Sequence, residues 1–149
     1  MKEQTSSVSN FDVWLLIAQI HHLMVLIRQR ELSPYHIPPQ QLQVLRIIHS
    51  IGSRATLSEI AKQAERKVDV ISRQAVGMEK DGLIKRIKDT PKSRLLRIEL
   101  TEKGLDMIKI SRESKEIDDI LSFLTKEERR QIWSILNKMF IRLKEHAAD

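Results

Sequence analysis

Apolar residues along this chain keep a helical period, break it for one short stretch, and then resume it. From about Phe11 to Glu31 they stand on nearly every face, and Val13 to Ile27 (VWLLIAQIHHLMVLI) is interrupted by Gln19, His21 and His22. A helix that is apolar all round must be buried all round. It ends before Ser33-Pro34, because the residue ahead of a proline avoids the helical region. Residues 1–10 are polar and read as a disordered lead. Pro38-Pro39 opens a second helix, since the first turn tolerates a missing N–H. Its stripe is Leu42, Val44, Leu45, Ile47, Ile48 and Ile51, stopped by Gly52. Thr56 and Glu59 form a capping box for a third helix reaching about Ala64, with Leu57, Ile60, Ala61 and Ala64 inward. After a break at Glu65–Lys67, a fourth helix runs from about Asp69 to Lys80 on a stripe of Val68, Ile71, Ala75 and Met78, closed by Asp81-Gly82. Two short amphipathic helices joined by a tight break make a helix-turn-helix pattern.

The period then falls to about two. Leu83–Asp89 and Arg94–Leu100 read as strands joined by Thr90-Pro91-Lys92-Ser93, a turn sequence. Thr101 to Gly104 starts a long helix to about Leu124. Thr125 and Glu128 make another capping box, opening a last helix with Ile132, Trp133, Ile135, Leu136, Met139, Phe140 and Leu143 at helical spacing. The predicted fold is mostly α with a two-stranded β-wing, a six-helix winged helix-turn-helix subunit. It is one chain, 1–149, with a nucleic-acid-binding lobe at 38–101 and dimerisation helices at 11–31 and 105–146. No repeat, linker or low-complexity segment interrupts it.

Composition changes this picture little. A length of 149 residues is one domain's worth, and 41% hydrophobic with 31% charged residues is globular. The absence of cysteine excludes disulfides, thiolate zinc sites and cysteine nucleophiles. The opening MKEQTSSVSN lacks the order of a secretory signal, so a cytoplasmic protein is expected. Val13–Ile27 is shorter than the ~20 apolar residues a bilayer needs, so no membrane is expected and a second subunit is the expected cover.

Charge changes it more. The net charge is +6, and between Lys85 and Arg97 stand Lys85, Arg86, Lys88, Lys92, Arg94 and Arg97 against Asp89 alone. The excess is a patch on one hairpin, and a polyanion is the partner it predicts. On the fourth helix, Lys67, Asp69, Ser72, Arg73 and Gln74 lie away from the apolar stripe. Such positions enter the major groove in this motif, where Arg reads guanine and Gln reads adenine. Each taken singly is equally an ordinary solvated residue, since most contacts in such complexes go to phosphate. The candidate wing contacts are Arg86, Lys88, Lys92, Ser93 and Arg94. Gly77 is costly in mid-helix, and close approach of another backbone would account for it.

His21 and His22 suit a satisfied core or interface position better than a metal site, because Asp12 is too far along the helix and no H-E-x-x-H pattern exists. No metal or cofactor is expected. Trp14, Trp133 and Phe140 read as core. There is no Gly-rich phosphate loop, nucleophile elbow or carboxylate pair, so an enzyme is the weakest reading. A winged helix that only docks another protein is the stronger alternative, opposed by the cationic hairpin.

The run from Leu57 to Gly104 resembles the MarR (multiple antibiotic resistance regulator) family. The matching features are L-x-E-I-A in the third helix, Ser72-Arg73 in the fourth, E-x-x-G-L-I-x-R from Glu79 to Arg86, and a wing with Arg94, Leu100, Thr101 and Gly104 at the family spacing. The order of helices fits over nearly the whole chain. The resemblance implies a transcriptional regulator, a homodimer on a pseudo-palindromic double-stranded DNA operator, with Arg94 in a flanking minor groove. It also implies a repressor released by a small aromatic or anionic effector, with Gln19, His21, His22 and Arg28 as candidate pocket residues. Two positions depart from the family pattern: Lys92 replaces an Asp that orients the wing arginine, and Lys67 replaces a capping Ser.

Overall fold

The computed structural model describes residues 7–148, and the chain divides into two compact units, Met1–Glu113 and Ser114–Asp149. Of the expected polar lead, residues 1–6 lie outside the described residues, whereas Ser9 caps the first helix. In the first unit the helices are α1 (Asn10–Leu32), α2 (Pro39–Ile51), α3 (Leu57–Ala64), α4 (Val68–Lys80) and α5 (Glu102–Arg112), and the strands are β1 (Ala55–Thr56), β2 (Ile84–Lys88) and β3 (Leu96–Leu100). The second unit holds α6 (Lys115–Leu121) and α7 (Lys126–Ala147). The fold is a mostly helical winged helix-turn-helix, as the pattern predicts.

Local chemistry sets the element ends. The Thr56–Glu59 and Thr125–Glu128 capping boxes both form, and a third, Ser9–Asp12, opens α1. Each supplies partners to orphan amides in a first turn. Gly52 and Gly82 take positive φ, 91° and 74°, to turn the chain out of α2 and α4.

The core sits where α2, α3, α4, α5 and the sheet converge. Leu45, Ile48, Ile60, Ile71, Met78, Ile84 and Ile98 are essentially sealed from solvent. The sheet runs β1-β3-β2, antiparallel, with Ile84 opposite Leu100 and Lys88 opposite Leu96.

Three elements differ from the pattern's prediction. The sheet has a third strand, since Ala55 and Thr56 pair with Ile98 and Arg97. The expected helix from Thr101 to Leu124 is broken at Glu113–Ser114, where the Ser114 hydroxyl accepts from the Ile117 amide and caps a new helix. The second hairpin strand begins at Leu96, so Arg94 lies in the connection between strands.

Within this chain α1 is not covered. Leu32 is its one buried residue, while Trp14, Leu16, Leu23 and Met24 are each more than half exposed. By length and composition the helix could also cross a bilayer. In the second unit Trp133, Ile135 and Phe140 are likewise exposed.

Candidate nucleic-acid interface

The candidate recognition helix, α4, is held by its inner face. Ile71 and Met78 are 0% exposed and Ala75 is buried beside them, so the opposite face is fixed toward solvent. Lys67, Asp69 and Arg73 are exposed there, and Ser72 is half-buried. Arg73 leans back on Asp69 at 3.4 Å with both side chains largely in water, a weak pair that a better acceptor can displace. Lys67 occupies the N-cap with no side-chain capping bond, leaving first-turn amides unpartnered by it.

Two α4 residues stand differently from expectation. Gln74 is half-buried, and its Oε1 is buried without a partner, so its amide oxygen is turned in against the protein rather than outward. Val68, expected inside, is 46% exposed because it opens the helix where the core ends. Gly77 has no close neighbour within the described residues, where an added Cβ would meet open space. The crowded glycine is Gly104, whose Cβ would run into the Leu83 carbonyl oxygen. Thr101 explains that closeness: its hydroxyl donates to the Gly82 carbonyl at 2.5 Å and its amide to Leu83 at 3.1 Å. The base of the hairpin is thereby tied to the end of α4.

The hairpin's cations divide into held and free. Glu79 on α4 accepts from the Arg86 amide at 2.9 Å and from its guanidinium at 3.0 and 3.1 Å. These bonds hold the Glu79 carboxyl below the usual carboxylate range and raise Arg86. Arg86 thus positions β2 against α4. Arg97 pairs with Asp89 at 2.8 Å. Lys85, Lys88, Lys92 and Arg94 are exposed, and among the described residues no hydrogen bond or ion pair engages their side chains. Ser93 shapes the turn, its hydroxyl accepting from the Leu95 amide at 3.3 Å. The arrangement is a helix of mixed polarity beside a wing of free cations, suited to a grooved polyanion.

The candidate pocket residues are not brought together. Gln19, His21 and His22 are exposed on α1. Arg28 lines a separate cleft of about 170 Å³ with Glu31, Leu32, Tyr35, Ile110 and Glu113, and it forms an ion pair with Glu31. Sequence reasoning missed the anchor of this region, Ser111. It is buried in α5, accepts at its carbonyl from Arg28 at 3.0 Å, and at its hydroxyl from Arg46 at 3.1 Å. Burial, then the nearby Arg28 and Arg112 charges, lower the pKa of Arg46. No local pattern signals such a junction of α1, α2 and α5. No group of three or more potential metal ligands occurs among the described residues.

Residues 37–94, which span the helix-turn-helix and most of the hairpin, match the model of the MarR family. Among solved structures it is similar to a MarR-family protein from Bacillus stearothermophilus, at 23% identity over 97% of this chain and 99% of that one, with a TM-score of 0.76. It is similar to MepR, a transcription regulator of the Staphylococcus aureus multidrug efflux pump MepA, at 26% identity over 86% and 96% of the two chains, TM-score 0.65. MepR in complex with DNA aligns at 22% identity over 93% and 99%, TM-score 0.70. An organohalide-sensing transcriptional regulator in its 2,4-dichlorophenol-bound form aligns at 24% identity over 98% and 89%, TM-score 0.73. No curated protein matches the sequence. The MarR-family match covers the element that carries Arg73 and ends at Arg94, the two arginines the sequence singles out.

Proposed function

We propose that this chain is a transcriptional regulator that binds double-stranded DNA as a homodimer, α4 lying in the major groove and the wing on flanking backbone. The observation that carries the reading is the free cationic wing, Lys85, Lys88, Lys92 and Arg94, next to a recognition helix whose outward face is held by a sealed inner one. Of the candidate site residues, Lys67, Asp69, Ser72 and Arg73 face the groove in this reading, and Lys88, Lys92 and Arg94 meet phosphate or the minor groove. Arg86 serves as a strut and Gln74 is turned in.

The uncovered apolar surfaces of α1 and of α7 support the dimer, because apolar patches of this extent mark interfaces. Gln19, His21 and His22, together with the polar cap at Ser9 and Asp12, favour a second copy over lipid as the cover of α1. The protein should sediment as a dimer without detergent; a folded monomer at micromolar concentration would overturn this part.

For DNA, four free wing cations per protomer are eight per dimer. Neutralising about eight phosphates gives a loss of ~10⁴ in affinity between 50 and 200 mM salt. Binding measured on a duplex enriched from a random pool tests this, and a flat salt response would remove the wing from the interface. A small aromatic or anionic effector is the regulatory part of the proposal, with Arg28 at its cleft as the anion partner. A phenol or aromatic carboxylate that raises the melting temperature and releases DNA would support it. Release that persists after Arg28→Gln would move the pocket elsewhere.

A further inference from the structure

Two valines of α4 are left about half in solvent, Val76 on its outward side and Val68 at its first residue, where the inner stripe runs past the core. Val68 is 46% and Val76 51% exposed, while the rest of the inner stripe is sealed. Residues four apart share a helix face, so Val68, Ser72 and Val76 form one row. Asp69 and Arg73 form the row beside it, and Val76 stands three residues from Arg73. A β-branched residue is a poorer choice than alanine or lysine at an exposed helical position, since the helix restricts its side-chain torsion. Scattered exposed apolar residues are ordinary. Here Val76 lies on the outward side with Asp69 and Arg73, and Val68 lies at the leading end of the helix, the end that enters a groove first in this motif.

The major groove offers an apolar feature to match. Each A·T pair presents the 5-methyl group of thymine there, beside acceptors and donors that polar side chains read. We infer that Val68 and Val76 are specificity-determining residues that pack on thymine methyls, so that the bound site has thymines flanking the base contacted by Arg73. The inference rests on the DNA-binding reading above. It assigns α4 a mixed code in which the Arg73 row reads polar edges and the valine row reads methyls. It also removes Gln74 from that code, because its amide turns aside.

The test uses the full chain and a duplex enriched by it from a random pool. Copies of that duplex are synthesised with deoxyuridine in place of thymidine at one position at a time, deleting the methyl while keeping the base pair. At one or two positions per half-site, deoxyuridine should weaken binding about fourfold, the value of one buried methyl-sized group. Val76→Ala or Val68→Ala should weaken binding to the thymidine duplex by a similar factor and make it indifferent to deoxyuridine at its own position. Both variants alter exposed side chains, and unchanged circular dichroism and melting would establish their folding. If the chain enriches a duplex but deoxyuridine has no effect at any thymine, or the effect persists in both valine variants, the methyl-reading assignment is wrong. If no duplex is enriched at all, the DNA-binding reading itself falls, and the valines with it.

Discussion

The winged helix-turn-helix lobe and helix α1 are built from the same apolar residue types, yet these meet opposite environments. In the lobe Leu42, Leu45, Ile48, Ile60, Ile71, Met78, Ile84 and Ile98 are no more than 2% exposed. In α1 Trp14, Leu16, Leu23 and Met24 are all above one half. Burying such side chains is worth about 1.5–3 kcal/mol each. The lobe has gained that stabilisation within one chain, and α1 has not. The lobe is therefore a closed object, and α1 is an open apolar surface, the one that the proposed second copy would seal. In the second unit, taken by itself, α7 likewise leaves Trp133 and Phe140 in solvent.

The contrast can be broken most severely at α1. Leu16→Glu places a charge where the proposed partner protomer should seal it, and should raise the dimer dissociation constant at least ~10³-fold. Sedimentation would show monomers with native helical content; an unchanged dimer would place the interface elsewhere. The matching change inside the lobe, Ile98→Ala, should cost about 2–5 kcal/mol in denaturant unfolding. Were Ile98→Ala harmless, the lobe would not be the closed core described.

The two helical glycines sharpen the comparison at a smaller scale. Gly104→Ala must displace the Leu83 carbonyl and should destabilise by about 1–3 kcal/mol. Gly77→Ala enters open space in a helix and should stabilise by about 0.4–1 kcal/mol. Opposite shifts in melting temperature are expected, and shifts of the same sign would mean one of the two environments is misassigned. The smallest effect concerns acid. The pKa of Glu79 is lowered by its bonds to Arg86, so its contribution is complete above the unfolded carboxylate value, about 4.3, and is lost as pH falls through the lower folded value. Melting followed from neutral into acid should show a shallower acid decline in Glu79→Gln than in the parent, and parallel curves would mean the clamp adds nothing.

What was legible in the sequence was local. The inner stripes of α2 and α3, the capping boxes at Thr56 and Thr125, and the turn at Gly82 depend on neighbours three or four residues away, which periodicity exposes. The break at Glu113–Ser114 had such a signal as well, a serine able to cap, and apolar residues continuing past it masked that cue. The remaining differences are tertiary. Ala55-Thr56 is extended because β3 pairs with it. Arg86 resembles every other cation of the hairpin until Glu79 is seen beneath it. Gln74 and Val68 exchange sides because the core's edge, not the helical wheel, decides what the first and middle turns of α4 touch. Ser111 has no pattern at all, being defined by two arginines from other helices.

The third strand also has a consequence for how the lobe is made during synthesis. β1 precedes the helix-turn-helix and its partner β3 follows it, so Ala55 meets Ile98 only across the whole intervening segment. A chain emerging N-terminus first can form α3 and α4 as they appear, but the sheet that anchors α3 from below must wait for the hairpin's second arm. Pairings of such long sequence separation form slowly, because the loop must close before they repay its entropy. Until Leu96 to Leu100 arrives, α2 can cover α3, but the faces that meet the sheet have nothing to close on.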